Sequence, residues 1–383
     1  MTVLDRTQAA LVLNALPNIG PASVQKLRQN FDGDLAAALA APLEQIIDCG
    51  IKNKNAEIIA NWRAFFSLEK EEEALNALGA RFIDFDDEHY PKTLRERPEI
   101  APAGLYVRGN VDALRLTARK SVSFIGTRKS TLYGNRQATA FAESIAARGW
   151  SVVSGLAEGI DAAAHVGALN AEGCTVAVIG TGIDICYPAK NRELFERIAA
   201  SDGAVISEFP IGKHADKQSF PIRNRIVAAI STGTFIVESD IRGGSMITAD
   251  YALNYGKTLF ALPGRIDVPA SAGCHRLIRD GAILVTSPDD ICNELDGFGA
   301  SGALHFDFGE DLKNKIDKNA ARAAAISSEA GQIFRLLSEG DKLTMDDLIE
   351  KSGLSAPDVM AATMLLELEQ LVVKYADGNY EIN

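Results

Sequence analysis

The sequence has 383 residues and a formal net charge of −12, with 47% hydrophobic and 23% charged residues. This composition is typical of an ordinary globular protein, and the length predicts two or three domains. The acidic balance argues against a surface that coats duplex DNA, but it leaves room for one focused basic groove.

The amino-terminal stretch contains an early Asp and an early Pro and lacks the apolar core of a signal peptide. No run reaches the about 18 apolar residues that a membrane-spanning helix needs, so we expect no membrane contact. The cysteines show no CxxC spacing, which favours buried thiols in a reducing cytoplasm over disulfides or a zinc site. They are Cys49, Cys174, Cys186, Cys274 and Cys292.

Residues 1–75 show helical spacing of apolar residues, and we predict an all-helical domain of the helix-hairpin-helix or SAM-like kind. Residues 17–21, PNIGP, form a glycine turn between two helical segments. Residues 48–51 resemble a second, degenerate copy of that turn. Such turns can hold a DNA phosphate through backbone N–H groups, or they can simply pack helices together. The sequence leaves both interpretations open.

Residues 76–295 form the central domain of our interpretation. After two short strands at 81–85 and 105–108, apolar strands alternate with helical segments. This alternation predicts an α/β fold with a doubly wound, Rossmann-like parallel sheet. Ligands of such sheets bind at the carboxyl ends of the strands. The predicted strands of the alternating part lie at 122–125, 152–154, 176–179, 205–207, 235–237 and 259–261.

The residues that follow these strands carry no fingerprint of a common cofactor. Gly126-Thr127-Arg128 does not continue into GxGxxG, and Ser154-Gly155 stands where a ribose-binding acid would be expected. A GxxxxGK[ST] loop is also missing, so P-loop hydrolysis of ATP is not supported. Residues 242–245, RGGS, form a turn that opens a helix, where backbone N–H groups can approach a phosphate. We therefore expect no cofactor.

A cationic cluster lies at residues 213–225, where Lys213, Lys217, Arg223 and Arg225 accompany a single acid, Asp216. In an acidic chain, such a cluster indicates an anion site. Phe220 stands between the lysines and the arginines, and an aromatic ring beside cations suits a nucleobase with its phosphate. The alternative is a solvated loop with a core phenylalanine.

Asp161 and His165 are four residues apart, so they share one face of a predicted helix. With Ser154 they could be drawn as a Ser-His-Asp hydrolase, but Ser154 lacks the GxSxG elbow. No third ligand at suitable spacing supports a metal site. We expect Asp161 to cap the helix and His165 to be held beside it for structural reasons.

The last part of the chain changes character. Residues 296–328 read as a linker, and residues 329–383 show three helices and a hairpin, the pattern of a winged-helix domain. Residues 325–383 contain eleven acids and four bases, a net charge of −7, and the third helix at 356–370 contains no Lys or Arg. A recognition helix without cations is a poor reader of DNA, so we expect a protein-contact or accessory role.

Several blocks, taken together and in order, resemble the DNA-processing protein A family, also called DprA or Smf. The resemblance covers about residues 120–285 and is specific because so many separated blocks match. Gly243, where the family commonly has serine, and Cys274-His275, where Gly-Asn is usual, depart from it. The matching blocks are FIGTRKSTLYG (124–134), SGLAEGIDAAAH (154–165), VAVIGTGIDICYP (176–188), ISEFPIG (206–212), FPIRNRI (220–226), GGSMITADYA (243–252), ALPG (261–264) and LIRDGA (277–282).

This resemblance implies a cytoplasmic protein that binds single-stranded DNA, forms a homodimer and loads the RecA recombinase onto the strand. In naturally competent bacteria such a protein protects incoming DNA during transformation. It implies no catalytic residue and no metal. Arg128 and Arg225 are expected to face one groove. The strand-binding residues implied here are Gly126, Thr127, Arg128, Ser154, Gly155, Lys217, Phe220, Arg223, Asn224, Arg225, Gly243, Gly244 and Ser245.

Two other functions remain as alternatives. Nucleotide-processing hydrolases of the phosphoribohydrolase group have a similar sheet, but their PGGxGTxxE block supplies a catalytic Glu. Here the glycines lead into residues 245–250, SMITAD, without a Glu at that place. A pure assembly scaffold would dimerise without retaining an oligonucleotide.

Overall fold

The structure is a computed structural model that describes residues 4–300, 326–337, 343–369, 371–374 and 379–382. The chain forms two compact units, Met1–Gly297 and Phe298–Asn383. The predicted linker at 296–328 lies mostly outside the described residues. Within the described residues, none of the helices combines the length and the apolar character needed to cross a membrane.

The first unit begins with short helices, as the apolar spacing predicts. Asp5 caps the first helix in a capping box with Gln8, and Gly20 is the N-cap of the second, with Pro21 in its first turn. Each helix places its apolar residues in a common core. These helices are α1 (Arg6–Ala15), α2 (Pro21–Asn30), α3 (Leu35–Ala40), α4 (Leu43–Asp48), α5 (Asn53–Ala60) and α6 (Leu68–Leu78).

Each of the two predicted glycine turns accepts a hydrogen bond from the helix that follows the other turn. Lys26 Nζ donates to the carbonyl of Gly50 at 2.6 Å, and Asn55 Nδ2 donates to the carbonyl of Asn18 at 3.0 Å. The core of these helices also includes strand residues such as Ile179. Residues 1–75 therefore share a core with the sheet, and their separation as a domain of their own stays a prediction.

A nine-stranded sheet organises the rest of the first unit, in the order β1-β2-β6-β5-β4-β3-β7-β8-β9. The strands from β3 onward are parallel, and β2 pairs antiparallel with both β1 and β6. The α/β fold class and its mostly parallel sheet are thereby confirmed. The strands are β1 (Ala80–Asp84), β2 (Gly104–Gly109), β3 (Ser121–Gly126), β4 (Ser151–Ser154), β5 (Thr175–Ile179), β6 (Ala204–Ser207), β7 (Gly233–Glu238), β8 (Thr258–Ala261) and β9 (Ile283–Leu284).

Both faces of the sheet are covered, because alternate strand residues enter different cores. Phe124 and Phe235 pack on one side, whereas Ile125 and Ile236 pack on the other. The chain order reverses at β3, which lies between β4 and β7, so the rim there is a switch point where ligands bind. The helices are α7 (Lys92–Arg95), α8 (Ala113–Thr117), α9 (Leu132–Ala147), α10 (Ile160–Asn170), α11 (Arg192–Ala199), α12 (Ser219–Ile230), α13 (Gly244–Asn254), α14 (Pro269–Arg279) and α15 (Pro288–Ala300).

The second unit has the predicted winged-helix elements around its own small core, which includes Phe334 and Leu366. Its three strands form a sheet of order β10-β12-β11. Residues 375–378, between the two strands of the predicted hairpin, lie outside the described residues. The elements are α16 (Ser328–Leu337), β10 (Leu343–Thr344), α17 (Met345–Ser352), α18 (Ala356–Leu368), β11 (Val372–Lys374) and β12 (Asn379–Ile382).

Candidate nucleic-acid interface

A cavity of about 340 Å³ opens at the carboxyl ends of β3, β4 and β7, between α12 and α13. We call it the rim cavity. It lies at the switch point of the sheet, where the topology places ligand sites. Ten of the residues predicted for strand binding line it: Gly126, Thr127, Arg128, Gly155, Phe220, Arg223, Asn224, Gly243, Gly244 and Ser245.

The amino end of α13 forms one wall of the rim cavity. Gly243 is the N-cap, and no described side chain caps this helix. The amide groups of Gly244 and Ser245 have no hydrogen-bond acceptor within the described part of the chain. A Cβ at Gly244 would meet no protein atom within 4 Å, so the approach to these amides is open. Free N–H groups at the positive end of a helix dipole suit a phosphate.

Arg223 lies at the floor of the rim cavity and is 4% exposed. Its Nη1 donates to the carbonyl of Val178 at 2.5 Å, and its Nε has no hydrogen-bond partner among the residues that the structure describes. Burial lowers the pKa of Arg223 to about 10, with the carboxylate of Asp161 acting against that shift. The guanidinium is therefore still charged at neutral pH, and it places a buried positive charge beneath the cavity.

Gly155 has a different role from the predicted one. Its N–H donates to Oδ2 of Asp161 at 3.2 Å, so it is not free for a phosphate. A Cβ at this position would overlap the guanidinium of Arg223. Gly155 is therefore needed to let Arg223 lie against the backbone. The N–H of Gly243 also has an acceptor within the protein, since it donates to the backbone carbonyl of Asp240 at 3.0 Å.

The backbone N–H of Thr127 likewise donates to the carbonyl of Glu238, at 2.8 Å. Gly126 is needed for packing, because a Cβ there would overlap the side chain of Ile160. Among the described residues of the rim cavity, the amides of Gly244 and Ser245 at the start of α13 remain open to a phosphate.

Asp161 and His165 do not form the pair that the sequence predicts. The N-cap of α10 is Gly159, and Asp161, which lines the rim cavity, accepts from the loop amides of Gly155 and Ala157. Burial raises the pKa of Asp161, and nearby Arg223 opposes this rise. Asp161 therefore fixes the loop after β4.

The ring of His165 is buried and its Nδ1 lies 2.7 Å from Oγ1 of Thr175. Burial lowers the pKa of His165 to about 3. The hydroxyl of Ser154 donates to the carbonyl of Phe124, so these three residues form no hydrolytic triad. In the described ranges, no three His, Cys, Asp or Glu side chains are grouped to hold a metal ion.

Three predicted residues do not line the rim cavity, and the expectation for Arg225 was wrong. Arg225 is two residues from Arg223 on α12, which turns it about 200° around the helix axis. Its guanidinium makes a two-point ion pair with Glu208, at 2.7 and 2.6 Å, and both side chains are 9% exposed. Ser154 is buried beneath the sheet rim, and Lys217 is exposed before α12. Arg128 and Arg225 thus do not share a groove.

Arg128 is exposed and has no ion-pair partner among the described residues; its guanidinium lies 4.9 Å from the centroid of the Phe220 ring. Phe220 also packs against Tyr187, with ring centroids 5.4 Å apart. A smaller cavity of about 40 Å³, which we call the side cavity, is lined by Arg128, Phe220, Tyr187 and Pro188, among others. Sequence reasoning missed Tyr187, although it follows the end of a parallel strand in the loop after β5.

Comparisons with known proteins identify the family. The sequence model of the family DNA recombination-mediator protein A matches residues 81–296, and that of the DprA winged helix domain matches residues 317–378. The protein Smf of Escherichia coli K12 is 36% identical over 289 residues, which are 75% of this chain and 73% of that protein. The DNA processing protein DprA of Streptococcus pneumoniae is 37% identical over 232 residues, 56% of this chain and 80% of that one.

Solved structures agree with these sequence matches. The X-ray structure of DprA from Streptococcus pneumoniae aligns with a TM-score of 0.64 and 32% identity, covering 77% of this chain and 99% of that chain. DprA of Helicobacter pylori, whose structure was described for its single-stranded DNA binding mode, aligns with a TM-score of 0.50 and 30% identity, covering 56% and 95%. The chain belongs to the DNA recombination-mediator protein A family, which confirms the resemblance to DprA and Smf.

Proposed function

We propose that this protein binds single-stranded DNA in the rim cavity. The observation that carries the proposal is the convergence of exposed Arg128, buried Arg223 and the open amides of α13 on one cavity at the switch point. These groups are positive and hold phosphates without reading base edges, so binding is expected to be largely independent of sequence. The Helicobacter pylori relative, described as a single-stranded DNA binder, supports the same ligand.

The preference for single strands follows from the aromatic groups beside the cations. Phe220 lies next to Arg128 and Tyr187 lies next to Phe220, and an aromatic ring can stack only on a base whose face is free. In a duplex the base faces are stacked inside the helix. We therefore propose that an unpaired strand is the ligand and that duplex DNA binds more weakly.

Membership of the family extends the proposal to partners and biology. We propose that the protein acts as a homodimer in the cytoplasm, protects incoming single strands and loads RecA onto them during natural transformation and recombination. We also propose that it has no enzymatic activity. Incubation with nucleoside monophosphates tests the last point, since release of free base would contradict it.

Fluorescence anisotropy with a labelled single-stranded oligonucleotide tests the main proposal. Arg128→Ala should weaken binding, because one phosphate contact is lost. For the same reason, the slope of log affinity against log salt concentration should become shallower by about one. Arg119→Ala is the matched control, since Arg119 is also exposed but precedes the amino end of β3, at the opposite rim. Equal binding of duplex and single strand, or equal losses for the two variants, would contradict the proposed site.

A further inference from the structure

Phe220 is enclosed by protein groups on several sides. The guanidinium of Arg128 lies 4.9 Å from its ring centroid, and the ring of Tyr187 approaches it at 5.4 Å with an angle of 40° between the planes. A Cβ on Gly180 would lie 3.3 Å from Cδ1 of Phe220, so the backbone after β5 is also close. Phe220 is only half-exposed as a result. Little of its ring is left to receive a nucleobase.

Tyr187 offers the aromatic surface that Phe220 lacks. Its side chain is 46% exposed, although it is a large ring at the mouth of the side cavity. Because one side of it faces Phe220, the surface open to solvent points away from that ring. Arg128 and Arg223 line the same side cavity. An exposed ring at a cavity with cations is the arrangement that single-strand binders use for stacking.

The loop that carries Tyr187 is held firmly in place. Thr181 Oγ1 donates to the carbonyl of Ile185 at 2.6 Å, and the amide of Asn191 donates to the carbonyl of Pro188 at 3.0 Å. Asn191 Nδ2 in turn donates to the carbonyl of Leu156 at 3.0 Å and to that of Ala157 at 3.2 Å. Ala157 lines the rim cavity, so Tyr187 is fixed to the same loop that forms the cavity wall.

We propose that Tyr187 is the residue that stacks on a base of the bound strand, and that Phe220 positions Tyr187 and Arg128 on either side of itself. This inference rests on the proposed function and names a binding residue of the same site. The strand leaves the rim cavity past Arg128, where its phosphate is neutralised, and its next base lies on the outer face of Tyr187.

The expected effects separate stacking from charge. Removing a ring that stacks on a base weakens single-strand binding by about tenfold or more, whereas removing its hydroxyl alone has little effect. Tyr187→Ala should therefore lose affinity and Tyr187→Phe should keep it. Phe220→Ala should also lose affinity, because both neighbours lose their support.

Abasic oligonucleotides decide whether the loss comes from a base contact. Binding of wild type, Tyr187→Ala, Tyr187→Phe and Arg128→Ala is measured with an oligothymidylate and with an abasic backbone of equal length. The loss of affinity caused by Tyr187→Ala should disappear on the abasic backbone, whereas the loss of affinity caused by Arg128→Ala should persist on both oligonucleotides. Thermal unfolding followed by circular dichroism checks that each variant is folded.

The outcomes distinguish the two proposals. The stacking role is overturned if Tyr187→Ala binds oligothymidylate like wild type, or if it loses as much affinity on the abasic backbone. In that case, weaker binding by Arg128→Ala would still support the proposed function. If wild type retains no single strand at all, both proposals fail together.

Discussion

The guanidinium of Arg225 and the carboxylate of Glu208 form a two-point ion pair in the interior of the first unit, with N–O distances of 2.7 and 2.6 Å. Arg225 also donates to the carbonyl of Ile222 at 2.9 Å. The pair joins α12 to the loop after β6. Its charge is therefore used to hold the fold, and the positive charge that α12 brings to the rim cavity is that of Arg223.

Removing one partner of this pair should destabilise the protein. Arg225→Ala or Glu208→Ala leaves the other charge buried without its ion-pair partner, and we expect each to cost about 3–5 kcal/mol of unfolding free energy. The double variant Glu208→Leu/Arg225→Met should cost less than the sum of the single losses. Urea unfolding reports this through Trp62 and Trp150, which are both buried in the first unit. Additive losses would show that the pair is not coupled.

The contrast between Arg223 and Arg225 shows how far sequence reasoning reaches at this site. The sequence predicts a cationic cluster between two strands of the sheet, and the structure brings Arg223 of that cluster to the rim cavity. It cannot show which arginine faces the cavity, since that depends on the rotation of α12 about its axis. The rotation is fixed by contacts with Glu208 and Val178, which lie 17 and 45 residues away in the chain.

The sheet itself was easier to predict than the site. Alternating apolar strands and helices predict the parallel order, and the strand ends then predict the rim. The antiparallel pairing of β2 with β6 depends on contacts between distant segments. The same limit applies to Gly155, whose absent side chain makes room for Arg223 and does not expose an amide to a ligand.

Gly155→Ala should damage both stability and binding. A Cβ there would overlap the buried guanidinium of Arg223, which cannot move without losing its bond to Val178. We expect a loss of about 1–3 kcal/mol from overpacking, and weaker single-strand binding at temperatures where the variant is folded. Gly20→Ala is a suitable control, because its Cβ would meet no atom within 4 Å. If both variants bind and unfold alike, Arg223 does not occupy the position described above.

Acid should destabilise the protein through His165. Its pKa falls from 6.5 to about 3 on burial, so the folded state binds fewer protons than the unfolded state between these values. The stabilising contribution is complete above pH 6.5 and is lost as the pH falls toward 3. Between pH 7 and pH 5, His165 should lower the free energy of unfolding by about 2 kcal/mol.

Urea unfolding at several pH values tests this expectation. His165→Asn keeps a donor near Thr175 without a titrating ring, so it should be less stable than wild type at pH 7 but should lose less stability on acidification. An identical pH slope in the two proteins would assign the acid sensitivity to other groups.

The second unit should contribute little to strand binding. Residues 325–383 carry a net charge of −7, and Met360 and Met364 on α18 are 60% and 63% exposed where a DNA-reading helix would carry cations. The first unit has its own cores, so residues 1–297 should fold alone. We expect this fragment to keep the single-strand affinity of the whole chain in anisotropy measurements. A large loss would place part of the binding surface in the second unit.

Gly244 allows a direct test of the backbone contact at α13. It is the first residue of the helix, where proline is tolerated because the N–H has no partner within the helix, and Gly243 has the extended backbone, ψ 150°, that a residue before proline requires. Gly244→Pro should therefore preserve the fold while removing one N–H from the rim cavity.

Gly244→Ala is the control, because it keeps that N–H and adds a Cβ that meets no described protein atom within 4 Å. Loss of a hydrogen bond to a charged phosphate costs about 1.5 kcal/mol, so the proline variant should bind single strands roughly tenfold more weakly than the alanine variant. Equal affinities would mean that the N–H of Gly244 makes no hydrogen bond to the phosphate.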